Sequence, residues 1–188
     1  MALIVKDGNG TNQNLPLYDP SYGFGGLAFT PVAAPTDWLI IQGSATKVVR
    51  LKRVEITGFA TTAGSLEFRL RKASDAGTIG SGVLTAITAC PMDSAYAAAT
   101  AVVSTVGTAN YTTVPAIVGS AIKTSRLFLD VETTGESDKL VWEWAGNGDK
   151  PPALRASTEY LCLNSNGDGL PAGTKFDWSI ILEEGEAV

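Results

Sequence analysis

The sequence predicts an all-β protein, an antiparallel β-sandwich of about eight strands. Apolar and polar residues alternate with a period of two in several separate runs, as in strands that bury one face. Gly, Pro, Asn and Asp separate these runs at short spacing, as turns require. No stretch gives a convincing amphipathic helix. Eight strands in two sheets would be jelly-roll-like. An immunoglobulin-like sandwich is the alternative, although it usually needs fewer residues.

The runs predicted as strands follow one another from residue 38 onward. They cover residues 38–42, 48–59, 65–71, 98–106, 127–131, 140–144, 159–164 and 176–183. The clearest is 65–71, where Leu66, Phe68 and Leu70 alternate with charged residues, so that one face packs on a core. Residues 94–101 are rich in alanine and follow Pro91, which predicts one short helical turn.

The run 48–59 changes phase in its middle. Val49 and Leu51 share one parity, whereas Val54 and Ile56 share the other. One extra residue near Lys52 and Arg53 would place all four apolar side chains on the core side. The sequence therefore predicts a β-bulge at this point.

Residues 1–36 differ from the rest of the chain. Gly and Pro interrupt regular elements every few positions there, yet apolar residues run through the segment. We therefore expect an extended N-terminal arm over residues 1–36 and a β-sandwich domain over residues 37–188. The arm residues expected to contact another subunit are Leu3, Val5, Leu15, Leu17, Tyr18, Tyr22 and Phe24.

Residues 47–72 hold seven of the 14 basic residues of a chain whose net charge is -5. With a turn at residues 61–64, the segment predicts a β-hairpin whose charged side chains point outward. One interpretation is a solvent face, neutralised by cross-strand pairs with Glu55 and Glu67 that contribute roughly 0.2–1 kcal/mol each. The other is a docking face for an acidic partner, such as the acidic residues 183–188 of a neighbouring copy. Its candidate docking residues are Arg50, Lys52, Arg53, Arg69 and Arg71.

The composition argues against an enzyme. There is no histidine, which removes the commonest general base and metal ligand. Glu183, Glu184 and Glu186 are expected in a C-terminal tail that holds no fixed geometry. The loop at 164–169 begins like a calcium loop, but Lys175 stands where a bidentate glutamate is required. We expect no catalytic, cofactor-binding or metal-binding residues, and the net negative charge argues against nucleic acid as a partner.

The cysteines and tryptophans are expected to be structural. Cys90 and Cys162 have no metal-ligand spacing, so two reduced and mostly buried thiols are expected, and a single disulfide between them is the alternative. Trp142 and Trp144 share their parity with Leu140, which predicts core packing. The alternative is an exposed aromatic surface that stacks on sugar rings.

Length and hydropathy complete these expectations. The 188 residues suit one domain with a sizeable core. Hydrophobic residues make up 45% and charged residues 18%, as in a folded chain. No apolar run reaches the length of a membrane span, and the first ten residues lack the pattern of a signal peptide. We expect no membrane partner.

Several stretches resemble a recurrent pattern in virion proteins of tailed bacteriophages. They are IQGSATKVVRLKRVEITGFATTAGSLEFRLRKAS, MDSAYAAATAVVST, FDWSIILEE preceded by LPAGT, and LIVKDGNGTNQNLP. The resemblance implies a jelly-roll-type sandwich that acts as a capsid decoration (cement) protein. It implies the major capsid protein as a partner, a symmetric homo-oligomer with a trimer favoured, and a place on the virion after assembly in the host cytoplasm. The alternative function is a tail or head-fibre module that binds host-surface glycans.

Overall fold

The computed structural model describes residues 3–6, 12–15, 19–31, 37–79, 84–106, 111–131, 138–144, 149–165 and 169–186. All regular elements in these ranges are β-strands. They are β1 (Leu3–Lys6), β2 (Asn12–Leu15), β3 (Ser21–Phe29), β4 (Asp37–Gln42), β5 (Lys47–Phe59), β6 (Gly64–Ala73), β7 (Thr78–Ile79), β8 (Leu84–Ile87), β9 (Cys90–Pro91), β10 (Val102–Val106), β11 (Tyr111–Thr113), β12 (Ile117–Leu129), β13 (Leu140–Glu143), β14 (Ala153–Leu154), β15 (Tyr160–Asn164) and β16 (Lys175–Glu186).

Two six-stranded antiparallel sheets pack face to face. The first sheet has the order β12-β6-β15-β4-β10-β8. The second has the order β13-β5-β16-β3-β9, and β14 also pairs with β5. Two small sheets, β1-β2 and β11-β7, lie outside them. The predicted all-β antiparallel sandwich is confirmed.

Eight strands form the central part of the two sheets: β3, β4, β5, β6, β12, β13, β15 and β16. Numbered along the chain, they lie first-eighth-third-sixth in the second sheet and second-seventh-fourth-fifth in the first. The final strand β16 is therefore central, paired with β5 on one side and β3 on the other. The shorter β8, β9 and β10 extend both sheets at one edge.

The core lies between the sheets and follows the predicted alternation. Leu66, Phe68 and Leu70 of β6 are buried, as are Phe176, Trp178, Ile180 and Leu182 of β16. The rings of Trp38, Phe68 and Phe176 form an aromatic cluster with centroids 4.6 to 5.5 Å apart. A gap beside Trp38 and Trp178 is too narrow to admit a water molecule. The interior is thus close-packed.

The predicted β-bulge in β5 is confirmed. Ile181 of β16 pairs with Arg53, and the next residue, Leu182, pairs with Leu51, which leaves Lys52 as the extra residue. As a result Val49, Leu51, Val54 and Ile56 all lie in the core, each at most 1% exposed. A second register shift, in the pairing of β4 with β15, leaves Trp38 without a register partner in β15. Its side chain lies in the core.

The predicted hairpin of β5 and β6 is wrong. The two strands lie in different sheets, and the chain crosses from one to the other near Ala60, whose N–H donates to the Asp130 carbonyl at 3.1 Å. The reason is that both strands carry an apolar face, and these faces are buried by packing across the sandwich. Edge-to-edge pairing would give each strand a neighbour but no facing layer.

The predicted helical turn at 94–101 is also wrong, because these residues form a turn and an extended segment. Side chains take the backbone donors that a helix would use: Asp93 Oδ1 accepts from Ala95 N at 2.9 Å. The strand predicted at 98–106 begins only at Val102.

A smaller apolar cluster covers part of the outer face of the first sheet. Ile40, Ala73, Val106 and Cys162 are buried there, with Ile117 and Tyr160 packed against them. Leu39 and Ile41 belong instead to the main core, so β4 is buried on both faces. A continuous apolar run such as WLII is typical of such a strand.

Candidate interaction surfaces

The predicted arm residues fall into three groups. Leu3, Val5 and Leu15 belong to the β1-β2 hairpin, in which Leu3 pairs with Leu15. Leu17 and Tyr18 lie outside the described residues. Tyr22 and Phe24 lie in β3, which pairs with β16 from Ser21 onward, and their side chains are buried in the core of this same chain. The part of the predicted arm that stands outside the two large sheets is therefore the hairpin.

The basic residues of the second sheet are neutralised by carboxylates of their own chain. Arg50 lies 2.9 Å from Asp19 and 3.6 Å from Glu183, and Lys52 lies 3.2 Å from Glu183. The remaining pairs on this face are Arg53–Glu55 at 2.7 Å, Lys47–Glu186 and Lys139–Glu55. The acidic C-terminal residues thus meet a basic face within one subunit. They lie in β16, so the expectation of a tail without fixed geometry is wrong.

The basic residues of β6, in the first sheet, are paired in the same way. Arg69 contacts Glu67, Lys72 lies 2.8 Å from Glu159, and Arg71 lies 2.9 Å from Asp37. The Asp37 carboxylate is fully buried. All seven cations of residues 47–72 therefore have a carboxylate partner, which supports the solvent-face interpretation over a strongly basic docking face.

These pairs shift the pKa values of their members. The Lys139 ammonium, with Arg53 nearby, holds the pKa of Glu55 below its usual range. Burial opposes ionisation of Glu159, but Lys72 and the Arg155 amide lower its pKa nonetheless. The Glu186 carboxylate raises the pKa of Lys47. Because these groups are partly exposed, solvent and salt weaken their contribution to stability.

Glu184 is a buried carboxylate held by donors rather than by a cation. Its oxygens accept hydrogen bonds from Thr100 N at 2.8 Å, from Ala101 N at 2.6 Å and from the Thr100 hydroxyl at 2.9 Å. Ser44 Oγ lies 2.8 Å from that hydroxyl. Glu184 and Ser44 are each 3% exposed. The arrangement therefore fixes the segment before β10 to the end of β16.

The two cysteines have different surroundings. Both are free thiols. Cys162 is buried, as expected, and burial together with the nearby Asp37 carboxylate raises the pKa of its thiol well above the usual range. Cys90 is exposed on β9, so its predicted burial is wrong. Two residue pairs, Tyr22 with Pro91 and Gly23 with Cys90, join β9 to β3, and this short pairing leaves Cys90 at the sheet edge.

The four tryptophans are buried, as core packing predicts. Trp38, Trp142, Trp144 and Trp178 are 2 to 7% exposed. The Trp142 indole N–H donates to the Ser125 hydroxyl at 2.8 Å and links the second sheet to the first. The buried Trp38 indole N–H has no hydrogen-bond partner among the residues that the structure describes. None of these rings forms an exposed platform for a sugar.

Two cations of the edge strand β12 lie outside this set of ion pairs. On β12, at the edge of the first sheet, Ile122 and Phe128 are 38% and 47% exposed, and Arg126 is exposed between them. Within the described ranges, neither Arg126 nor the adjacent Lys123 has a carboxylate within 4.0 Å. Sequence reasoning missed this surface. Its signal was the run IVGSAIKTSRLFL, which contains two cations and no acidic residue.

Comparisons with known proteins add no assignment. A scan against protein-family models, a search of curated proteins and a search of solved structures each found no match for this chain. Across the ranges that the structure describes, no helix has the length and apolar character to cross a membrane. The same residues contain no group of three or more acidic or cysteine side chains placed to hold a metal ion.

Proposed function

We propose that this protein is a non-enzymatic structural component of a tailed-bacteriophage virion: a capsid decoration protein that binds the major capsid protein and stabilises the shell. The observation that carries the proposal is the strand order, first-eighth-third-sixth against second-seventh-fourth-fifth. We assign this order to the jelly roll, an architecture that recurs in viral capsid proteins. Since one fold serves many functions, the resemblance of the sequence to virion proteins supplies the rest of the argument.

The mechanism is stabilisation by preferential binding. A protein that binds the assembled shell, and not its dissociated subunits, shifts the equilibrium toward the shell. The rigid part is the close-packed sandwich. The part available for strapping across a neighbour is the hairpin β1-β2, which forms a sheet of its own. A two-stranded hairpin is marginally stable alone, so it is expected to gain order from a contact, either in a trimer of this chain or on the capsid.

The alternative function, a fibre module that binds host glycans, draws on the same fold class, because lectin domains also use jelly rolls. Sugar recognition by stacking requires exposed aromatic rings, and the four tryptophans considered for that role are buried, although Phe128 is 47% exposed. The decoration role is therefore preferred.

The test is quantitative mass spectrometry of purified virions from the source phage. A ratio of one copy per major capsid protein, or one per three, is expected of a shell-covering protein. A handful of copies per virion would place the chain in the neck, tail or fibre and would overturn the decoration role. Absence from the virion would overturn the structural role altogether.

A further inference from the structure

The edge of the sandwich formed by β8, β9 and β10 is almost free of charge. Asp93 is the only charged residue between positions 76 and 122 of the sequence. β8 and β10 are the two outermost strands of the first sheet at this edge, and β9 is the outermost strand of the second. Leu84, Met92 and Val102 are three of the nine large hydrophobic side chains that are exposed among the described residues. Depletion of charge around exposed apolar side chains is typical of a contact surface.

The outer side of β8 carries backbone groups that are not used within the described part of the chain. β8 pairs with β10 on one side, over four consecutive residues from Leu84 to Ile87 and without a register shift. No described strand lies on its other side. Alternate residues of an extended strand direct their N–H and C=O groups to each side, so this edge presents donors and acceptors at the spacing of another strand. The backbone thus identifies the kind of partner that fits here, which is an extended strand.

The other edges of the two large sheets are protected against a foreign strand. β12 bulges between Val118 and Lys123. β13 ends in the charged Glu143. β9 contains Pro91, which has no N–H to donate, and the part of β3 beyond β9 has a register shift of its own. Bulges, charges and prolines are the devices by which proteins prevent edge-to-edge pairing. β8 has none of them, which distinguishes it as an edge open to pairing.

A second copy of this chain is the partner that suits β8. In a twofold contact the same surface meets itself, so a surface with charges of one sign would repel its own copy. The net charge of -5 opposes association of two copies in general. β8 and the neighbouring β10 contain no charged residue, so two copies can approach here without repulsion between like charges in these strands.

We infer that β8 pairs antiparallel with β8 of a second copy across a twofold axis, so that the first sheets of the two copies form one continuous sheet. Thr85 and Ala86 are the central residues of the contact, and both are exposed in the single chain. Leu84, which is 42% exposed, adds apolar area beside them. This contact goes beyond the proposed function and does not depend on it. It is twofold, and therefore distinct from the threefold contact of the expected trimer.

The first measurement is sedimentation velocity of the full chain at concentrations from about 1 μM to about 1 mM. The test variant is Ala86→Lys, which places two ammonium groups close to the axis and a charge on the edge strand. The matched control is Ala172→Lys, the same substitution at another exposed alanine. Thr85→Lys replaces the test variant if Ala86→Lys lowers the thermal midpoint at low protein concentration.

The second measurement locates the contact by crosslinking. In a Cys90→Ala background, Thr85→Cys and Ala86→Cys are oxidised separately, and Ala172→Cys is the control. A twofold axis at one of the two central residues brings the two copies of that residue within disulfide distance. Cys162 is buried and does not compete.

We expect the wild type to form dimers, with a dissociation constant at least about tenfold larger for Ala86→Lys and unchanged for Ala172→Lys. An interchain disulfide should form at position 85 or 86 and not at position 172. A wild type that stays monomeric over the whole range overturns the inference. So does an assembly that Ala86→Lys leaves intact, that Ala172→Lys weakens equally, or that gives no crosslink at either central position. The number of copies per virion tests the proposed function separately from each of these outcomes.

Discussion

The outer faces of the two sheets carry the same kinds of residues in different surroundings. On the second sheet, Lys52 and Glu183 form an ion pair in which both side chains are partly exposed. On the first sheet, Arg71 pairs with a fully buried Asp37, and Ile40 and Cys162 are buried nearby. The comparison shows that the burial of a sheet's outer face, rather than its pattern of charges, determines how much each outward side chain contributes to stability.

The largest expected effect is that of Arg71→Gln. The substitution leaves the Asp37 carboxylate buried without its cation, and breaking a buried pair in this way costs about 3–5 kcal/mol. The free energy of unfolding, measured by urea denaturation, should fall by that amount. The slope of this free energy against urea concentration should stay the same. A loss as small as that for Lys52→Gln would show that the two faces are equivalent after all.

The next effect is that of Ile40→Ala, which truncates a buried side chain of the outer cluster. We expect a loss of about 2–3 kcal/mol, in the lower part of the range for a buried isoleucine because the cluster is small. Ile181→Ala on the half-buried outer face of the second sheet is the control, with a loss below about 1 kcal/mol expected. The comparison by chemical denaturation fails if Ile181 proves as costly as Ile40.

A smaller effect concerns pH. Because burial raises the pKa of the Cys162 thiol, the folded state favours the neutral form. This contribution is complete below the unfolded thiol pKa of about 8.5 and is lost as pH rises toward the folded value, by at most about 1.4 kcal/mol per pH unit. Urea titrations at several pH values above 8 should give a shallower decline for Cys162→Ala than for the wild type.

The control for this titration is Cys90→Ala, which removes an exposed thiol and should leave the alkaline decline unchanged. Some decline should persist in Cys162→Ala, since burial also raises the pKa of Tyr22. Identical curves for Cys162→Ala and the wild type would contradict the assigned role of the buried thiol.

The smallest effect is that of Lys52→Gln on the open face. Its pair with Glu183 is partly exposed, so the loss should be about 0.2–1 kcal/mol at low salt. The difference from the wild type should vanish when the denaturation is repeated at about 1 M salt, where the screening length is about 3 Å. A loss of stability that persists at high salt would mean that the outer face of the second sheet is buried like that of the first.

Alternation was sufficient to predict the inward residues of β6, β16 and β5, including the bulge at Lys52, but it missed β3 and most of β12. A period of two shows which side of a sheet is buried, and a bulge shifts that period by one residue. The same signal holds no information on which strand lies next to which. The hairpin of β5 and β6 was therefore mispredicted, although both strands were placed correctly.

The site was harder to predict than the fold. Residues 47–72 were predicted as a candidate site because of their charge. Their carboxylate partners Asp19, Asp37 and Glu159 are distant in sequence and become neighbours only in the folded sheets. Arg126 of β12 is the converse case, since no carboxylate of the described residues lies within 4.0 Å of it. Whether a cation has a carboxylate partner depends on the folded structure. The sequence showed only that the strand itself contains no acidic residue.

The central position of β16 has a consequence for biosynthesis. Its residues 175–186 leave the ribosome after β3 and β5 have been made, yet both strands need β16 as their shared neighbour. Until then the second sheet consists of strands with open edges, a state prone to wrong pairing between chains. Glu184 adds to this dependence, because it also anchors Thr100 and Ala101. Nascent chains stalled before residue 175 should therefore be the aggregation-prone species and the natural clients of ribosome-bound chaperones.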